Sequence, residues 1–119
     1  MASELVSRVF GVVDAGDATT FSRFFTERGR MVFANGEPMF GAEQIEAGVR
    51  GFFGTIKALR HTVKNEWLVG AETIVELTVE YDRLDGKTVT IPVVSIWRVD
   101  DRGLIDDYRV FFDLAPVYA

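Results

Sequence analysis

The feature that most constrains this chain is a change of hydrophobic period at Gly54. Before it, apolar residues recur at helical intervals; after it they alternate one in two almost to the end, a pattern that fits extended strands. Residues 56–69 hold His61, Val63, Asn65 and Trp67 in one alternating set, and 73–81 set Val75, Leu77, Val79 and Tyr81 against Glu76, Thr78 and Glu80. LDGK at 84–87 and DDRG at 100–103 carry turn chemistry, so TVTIPVVSIWRV reads as a strand between them and LIDDYRVFFDLAP as the last strand. Pro92 lacks a ladder donor and predicts an edge position, a bulge or a strong bend. In the last strand Tyr108, Val110 and Phe112 share one side, and Asp107, Arg109 and Phe111 the other. That is too many rings for a solvated face and too much polarity for a closed core, so the strand is expected to face an apolar cavity with a few polar atoms in its wall.

The first half reads as helices. Leu5, Val6, Val9, Phe10, Val12 and Val13 fall at helical spacing between a capping Ser3 and a terminating Gly16. Asp17 is placed to cap a second helix carrying Phe21, Phe24 and Phe25 on one face, with Gly29 as its stop. Asn35-Gly36 between two apolar pieces predicts a tight hairpin. Ile45, Val49, Phe52 and Phe53 form a third helical face, weakened by roughly 1 kcal/mol at each of Gly48 and Gly51. The expected architecture is α+β, with three N-terminal helices on one face of a strongly bent, mainly antiparallel sheet.

Composition narrows the function classes. The 119 residues suit a single domain, 1–119, with a core that needs no staples. Thirteen basic and eighteen acidic residues give a net charge of -5. The basic residues are scattered singly, so a phosphate backbone is repelled on average and no nucleic-acid partner is expected. The absence of cysteine removes thiolate chemistry and disulfides, and His61, the single histidine, leaves no imidazole cluster, so no metal or cofactor site is expected. The N-terminal stretch has neither a basic start nor a long apolar run, and no segment nears the ~20 apolar residues of a membrane span; a soluble, cytoplasmic chain is expected.

Three strings, DAGD at 14–17, DGKTVTIP at 85–92 and the terminal GLIDDYRVFFDLAP, together with the order of elements, give the chain a resemblance to the nuclear-transport-factor-2-like superfamily. It resembles the SnoaL-like and ketosteroid-isomerase-like members in particular. The resemblance covers nearly the whole chain and implies a cone built from a bent sheet and three helices. It also implies chemistry on the inner wall, and there the family's acids are missing. Setting DAGD and KTVTIP in register with ketosteroid isomerases places Val9 at their tyrosine, Val94 at their donor acid and Ala34 or Asn35 near their base. The limonene-epoxide-hydrolase-like pattern meets Val79-Glu80-Tyr81-Asp82 and Val110, and the acid/base position of SnoaL-type cyclases also falls on Val110.

The same register implies a ligand wall of Val9, Phe33, Trp67, Val79, Val94, Ile96, Val110 and Phe112, with Tyr81, Tyr108 and His61 as its polar groups. A wall of this kind suits a hydrophobic small molecule of polyketide, terpenoid or steroid type. His61 is the candidate proton acceptor and Tyr81 or Tyr108 the candidate donor to a developing oxyanion, in a cofactor-free isomerase, cyclase or dehydratase. The plainer readings are a strand histidine bonded to a neighbour and core phenols with hydroxyls at the boundary, in a non-catalytic binding or dimerisation module. Asn35 serves the hairpin, the pairs Asp106/Asp107 and Asp82/Asp85 adjoin turns and read as solvated, and Asp113 suits either a strand end or the cavity rim. Val93, Ser95, Trp97 and Val99, with Arg109 and Phe111, are expected on the outer sheet face, through which the resemblance implies a homodimer.

Overall fold

The computed structural model describes residues 3–119. Helix α1 (Glu4–Asp14) starts where Ser3 Oγ accepts the Val6 N–H at 3.3 Å, and Gly16, at φ 71°, turns the chain beyond its end. Its apolar stripe, Val6, Val9, Phe10 and Val13, is buried. Helix α2 is only Ala18–Ser22, capped by Asp17, which accepts from Thr20 N at 3.0 Å. The expected continuation to Gly29 does not form. The Phe24 carbonyl is instead taken by the Ile105 N–H at 2.8 Å, and Phe25 opens strand β1 (Phe25–Phe33). Gly29 therefore lies inside a strand, where a Cβ would come within 3.1 Å of the Ile105 carbonyl oxygen; close backbone approach is its role.

β1 turns back into the two-residue β2 (Met39–Phe40) as expected, but through a longer loop in which Ala34, at φ 53°, supplies the left-handed residue. Helix α3 (Gly41–Phe53) follows, its Glu46 bound to Arg50 and to Thr19 of α2. Strands β3 (Ala58–Val69), β4 (Glu72–Asp82), β5 (Thr88–Val99) and β6 (Ile105–Phe111) then form the antiparallel meander. The sheet order is β2-β1-β6-β5-β4-β3, with β1 and β6 the parallel pair. β6 pairs with β5 only from Val94 onward, so Pro92 lies on a stretch of β5 that is an edge on that side, as its missing N–H demands. A last short helix, α4 (Ala115–Tyr118), begins where Asp113 Oδ1 accepts the Ala115 N–H at 3.0 Å.

Two phases differ from the sequence expectation. In β3 the pairing shifts between Val63 and Asn65, and that one-residue bulge turns every later side chain over. His61 and Val63 stay with the inner set, while Trp67 pairs with Ile74 on the outer face and is 49% exposed. In β5 the inner residues are Ile91, Val93, Ser95 and Trp97, and the outer ones include Val94 and Ile96. Both sets are apolar enough to be buried, so alternation alone does not choose between them; size does. Trp97 is 0% exposed, stacked on Tyr108 at 4.8 Å and edge-on to Phe10 at 5.4 Å. No outer surface could bury that ring as completely.

Trp97→Ala is therefore expected to lower unfolding free energy by about 3–5 kcal/mol in urea titration. A loss under about 1 kcal/mol would contradict the inward assignment of this residue.

Candidate functional site

Between the helices and the concave sheet face lies a cavity of about 80 Å³. α1 supplies Phe10 and Val13, β1 supplies Met31 and Phe33, α3 supplies Gly48, Val49, Phe52 and Phe53, and the meander supplies Leu59, His61, Leu77, Val79, Tyr81, Val93, Ser95, Tyr108 and Val110. Its polar wall is one imidazole, two phenols and one serine hydroxyl, and none of its residues is a carboxylate or a basic chain other than His61.

Of the sequence-derived candidates, His61, Tyr81, Tyr108, Phe33, Val79 and Val110 meet in this wall. Val9 does not: it is fully buried in the core, and on α1 the next residue, Phe10, takes the cavity side. Trp67, Val94 and Ile96 lie on the outer face for the phase reasons given above. Phe112 sits past the end of β6, packed on Phe33 at 5.0 Å, and lines an outer groove with Asp113, Leu114 and the β1–β2 loop. Phe33 and Met39 border both that groove and the cavity. Met39 occupies the space over Gly48 that a side chain there would need.

His61 is held on three sides. Its ring nitrogen Nδ1 lies 2.5 Å from Asp14 Oδ1, its backbone N–H donates to Asp14 Oδ2 at 3.1 Å, and its ring stacks on Phe10 at 4.3 Å. A carboxylate accepts, so a neutral His61 carries its proton on Nδ1 and leaves Nε2 as an acceptor. Asp14 is the partner of His61 that sequence reasoning did not single out. DAGD marks the fold, yet a carboxylate closing a helix faces the negative end of the dipole, where it costs stability. That local misfit was the available signal.

Of the four carboxylates read from sequence as solvated, three lie outside the cavity in ion pairs, whereas the fourth, Asp106, borders an outer groove and has a buried Oδ1 with no hydrogen-bond partner among the described residues. Asp107 takes Arg30 Nε at 2.8 Å, Asp82 takes Arg60, and Asp85 takes Arg83. Asp113 serves the start of α4. Among the described residues no cluster of three or more His, Asp or Glu side chains is arranged to hold a metal, and no helix is long and apolar enough to cross a membrane.

The SnoaL-like domain family matches residues 6–108, and the chain belongs to that family. Solved structures agree on the fold. A hypothetical protein with a ketosteroid-isomerase-like fold from Catenulispora acidiphila, in complex with trimethylamine, superposes with a TM-score of 0.90 at 18% identity, covering 98% of this chain and 91% of its own. A candidate SnoaL-like polyketide cyclase from Jannaschia sp. CCS1 gives 0.82 at 23% identity, covering 96% and 86%. The epoxide hydrolase/cyclase-like enzyme SalBIII, of pyran ring formation in salinomycin, gives 0.81 at 19% identity, covering 94% and 90%. At such identities the likeness establishes fold alone. No curated protein matches the sequence significantly.

Burial pushes the phenols of Tyr81 and Tyr108 above the usual tyrosine value of 10.0, and each is raised further by a neighbouring phenol. The Trp97 indole N–H opposes this slightly at Tyr108, although it completes no hydrogen bond in the stacked arrangement. Both phenols are thus neutral donors at ordinary pH. In the unfolded chain they ionise near 10 and in the folded chain above it, so the fold holds more protons in that window. Their contribution to stability is present below pH ~10 and is lost as pH climbs beyond it. The urea midpoint is expected to fall between pH 9 and 11, less steeply in Tyr108→Phe; equal slopes in both proteins would contradict burial of this phenol.

Proposed function

We propose that the chain is a cofactor-free proton-transfer protein, an isomerase, cyclase or dehydratase in type, acting on an apolar polyketide-, terpenoid- or steroid-like molecule. The observation that carries this reading is His61 in the wall of an otherwise oily cavity, held at Nδ1 by Asp14, which lies outside the lining. Asp14 accepts a hydrogen bond from the His61 Nδ1–H and steadies the imidazolium, so Nε2 is the base. It removes a proton from a bound C–H or O–H; the charge left on a ligand oxygen is met by the Tyr81 or Tyr108 hydroxyl. Return of that proton to another carbon gives isomerisation, and its delivery to a leaving hydroxyl gives dehydration. The cyclase and epoxide hydrolase/cyclase-like neighbours support a reaction of this general kind. A dry apolar void of about 150 Å³ holds one benzene ring, so only a small part of such a ligand fits the 80 Å³ cavity unless the wall yields. Met39, unbranched and shared with the outer groove, is the side chain whose movement enlarges it at least cost. The cysteine-free chain suits a reducing cytoplasm.

Mass spectrometry of molecules retained through purification is the direct route to the ligand. The base has its own assay in deuterium exchange at the α-carbon of cyclopentanone, followed by NMR in D₂O. Wild type is expected to exceed buffer; His61→Gln should lose on the order of 100-fold, and Asp14→Asn tenfold or more. Undiminished exchange in His61→Gln, or none in wild type, favours a binding module of the same fold.

We further propose a twofold homodimer through the outer sheet face. Trp97 has no part in it, since it is buried on the other side; the surface is instead a row across four strands, Trp67, Ile74, Ile96, Val94 and Phe111. Phe111 is 50% and Val94 37% exposed, an apolar patch beside the charged groups Glu72, Arg98 and Arg109. Sedimentation at micromolar concentration should show two chains for wild type and one folded chain for Phe111→Glu; a monomeric wild type ends the proposal.

A further inference from the structure

Ser95 is the polar wall residue that the proton-transfer reading leaves unused. It is 1% exposed, and its Oγ has no hydrogen-bond partner among the described residues. Its cross-strand neighbours are Val75 on β4 and Val110 on β6, neither of which has a polar side chain, and the Trp97 indole N–H two residues along the same face does not reach it. A buried hydroxyl in this position costs stability, and alanine or valine would line the same place without that cost. A local rule broken in a cavity wall points to a ligand atom as the missing partner.

The neighbourhood says which kind of atom. Tyr108 lies on the same inner face, one diagonal step from Ser95 across the β5–β6 ladder, because Ser95 pairs with Val110 and Tyr108 precedes Val110 by two. Tyr108 is neutral and a donor, as is any serine hydroxyl, so this part of the wall presents two O–H groups. A ligand acceptor oxygen is the atom that either hydroxyl can donate to. A carboxylate or phosphate does not fit: no lysine or arginine lines the cavity, and an anion would sit there uncompensated.

We infer that Ser95 Oγ anchors a neutral carbonyl oxygen of the ligand by donating to it, beside the Tyr108 hydroxyl, so that the preferred ligand is an uncharged, apolar carbonyl compound. This rests on the ligand-cavity reading above and adds the group that orients the ligand within it. Ser95 is a binding and positioning residue; His61 keeps the proton.

The test compares cyclopentanone with methylenecyclopentane, which has the same shape without the oxygen, by titration into the full chain and into Ser95→Ala and Ser95→Thr, following amide and indole NMR signals. Wild type should bind the ketone about tenfold more tightly than the hydrocarbon, the difference one net hydrogen bond makes. Ser95→Ala should bring the two probes to within about twofold, and Ser95→Thr, which keeps the hydroxyl, should restore the preference. Ser95→Ala without probe should melt at the wild-type temperature or higher, since it removes an unpaired buried polar group. Equal affinities in wild type, a preference that survives in Ser95→Ala, or a lower melting temperature in that variant each overturn the subsite while leaving the apolar cavity standing. If neither probe binds wild type, the cavity reading falls and the subsite with it.

Discussion

The structure depends on where one indole ring goes. Trp97 is sandwiched between the phenol of Tyr108 and the edge of Phe10, and Phe10 in turn stacks on His61. This run of rings ties β6, β5, α1 and β3 together across the core. Because side chains alternate along a strand, placing Trp97 inward commits Val93 and Ser95 to the cavity and sends Val94 and Ile96 out. The same contacts set the tilt of the imidazole, so the core packing and the candidate chemistry share one support.

The chain separates its charges from its oily interior. Arg30, Arg60, Arg83 and Arg98 each find a carboxylate on the outside of the fold. Inside remain groups that are neutral at ordinary pH or have a partner: two phenols raised by burial, a serine hydroxyl, and an imidazole held by Asp14. In such a medium a hydrogen bond is stronger than in water, and an unpaired polar atom is correspondingly costly. That pairing of strength and cost is why Ser95 is informative, and why a single proton acceptor suffices for the proposed reaction.

The chain shares the SnoaL-like fold while its inner wall carries a different set of polar residues from those the sequence resemblance led one to seek. Val9, Val94 and Val110, the positions compared with acids and a tyrosine in relatives, hold only aliphatic groups, and Val94 does not face the cavity at all. The ionisable pair comes instead from the end of α1 and the first half of β3.

The sequence by itself determined the α+β class, the first and third helices, the four-strand meander, and which residues share a face along β4 and β6. Each follows from local periodicity or turn chemistry, which need no knowledge of distant partners. Tertiary structure alone decided the rest. A bulge near Lys64 reversed Trp67, and strand β5, apolar on both sides, took its phase from the one ring too large to leave in water. Phe25 went to a strand because the Phe24 carbonyl found Ile105, eighty-one residues away. Asp14 and His61 are 47 positions apart, and only the packing of α1 on β3 shows that the carboxylate and the imidazole belong to one site.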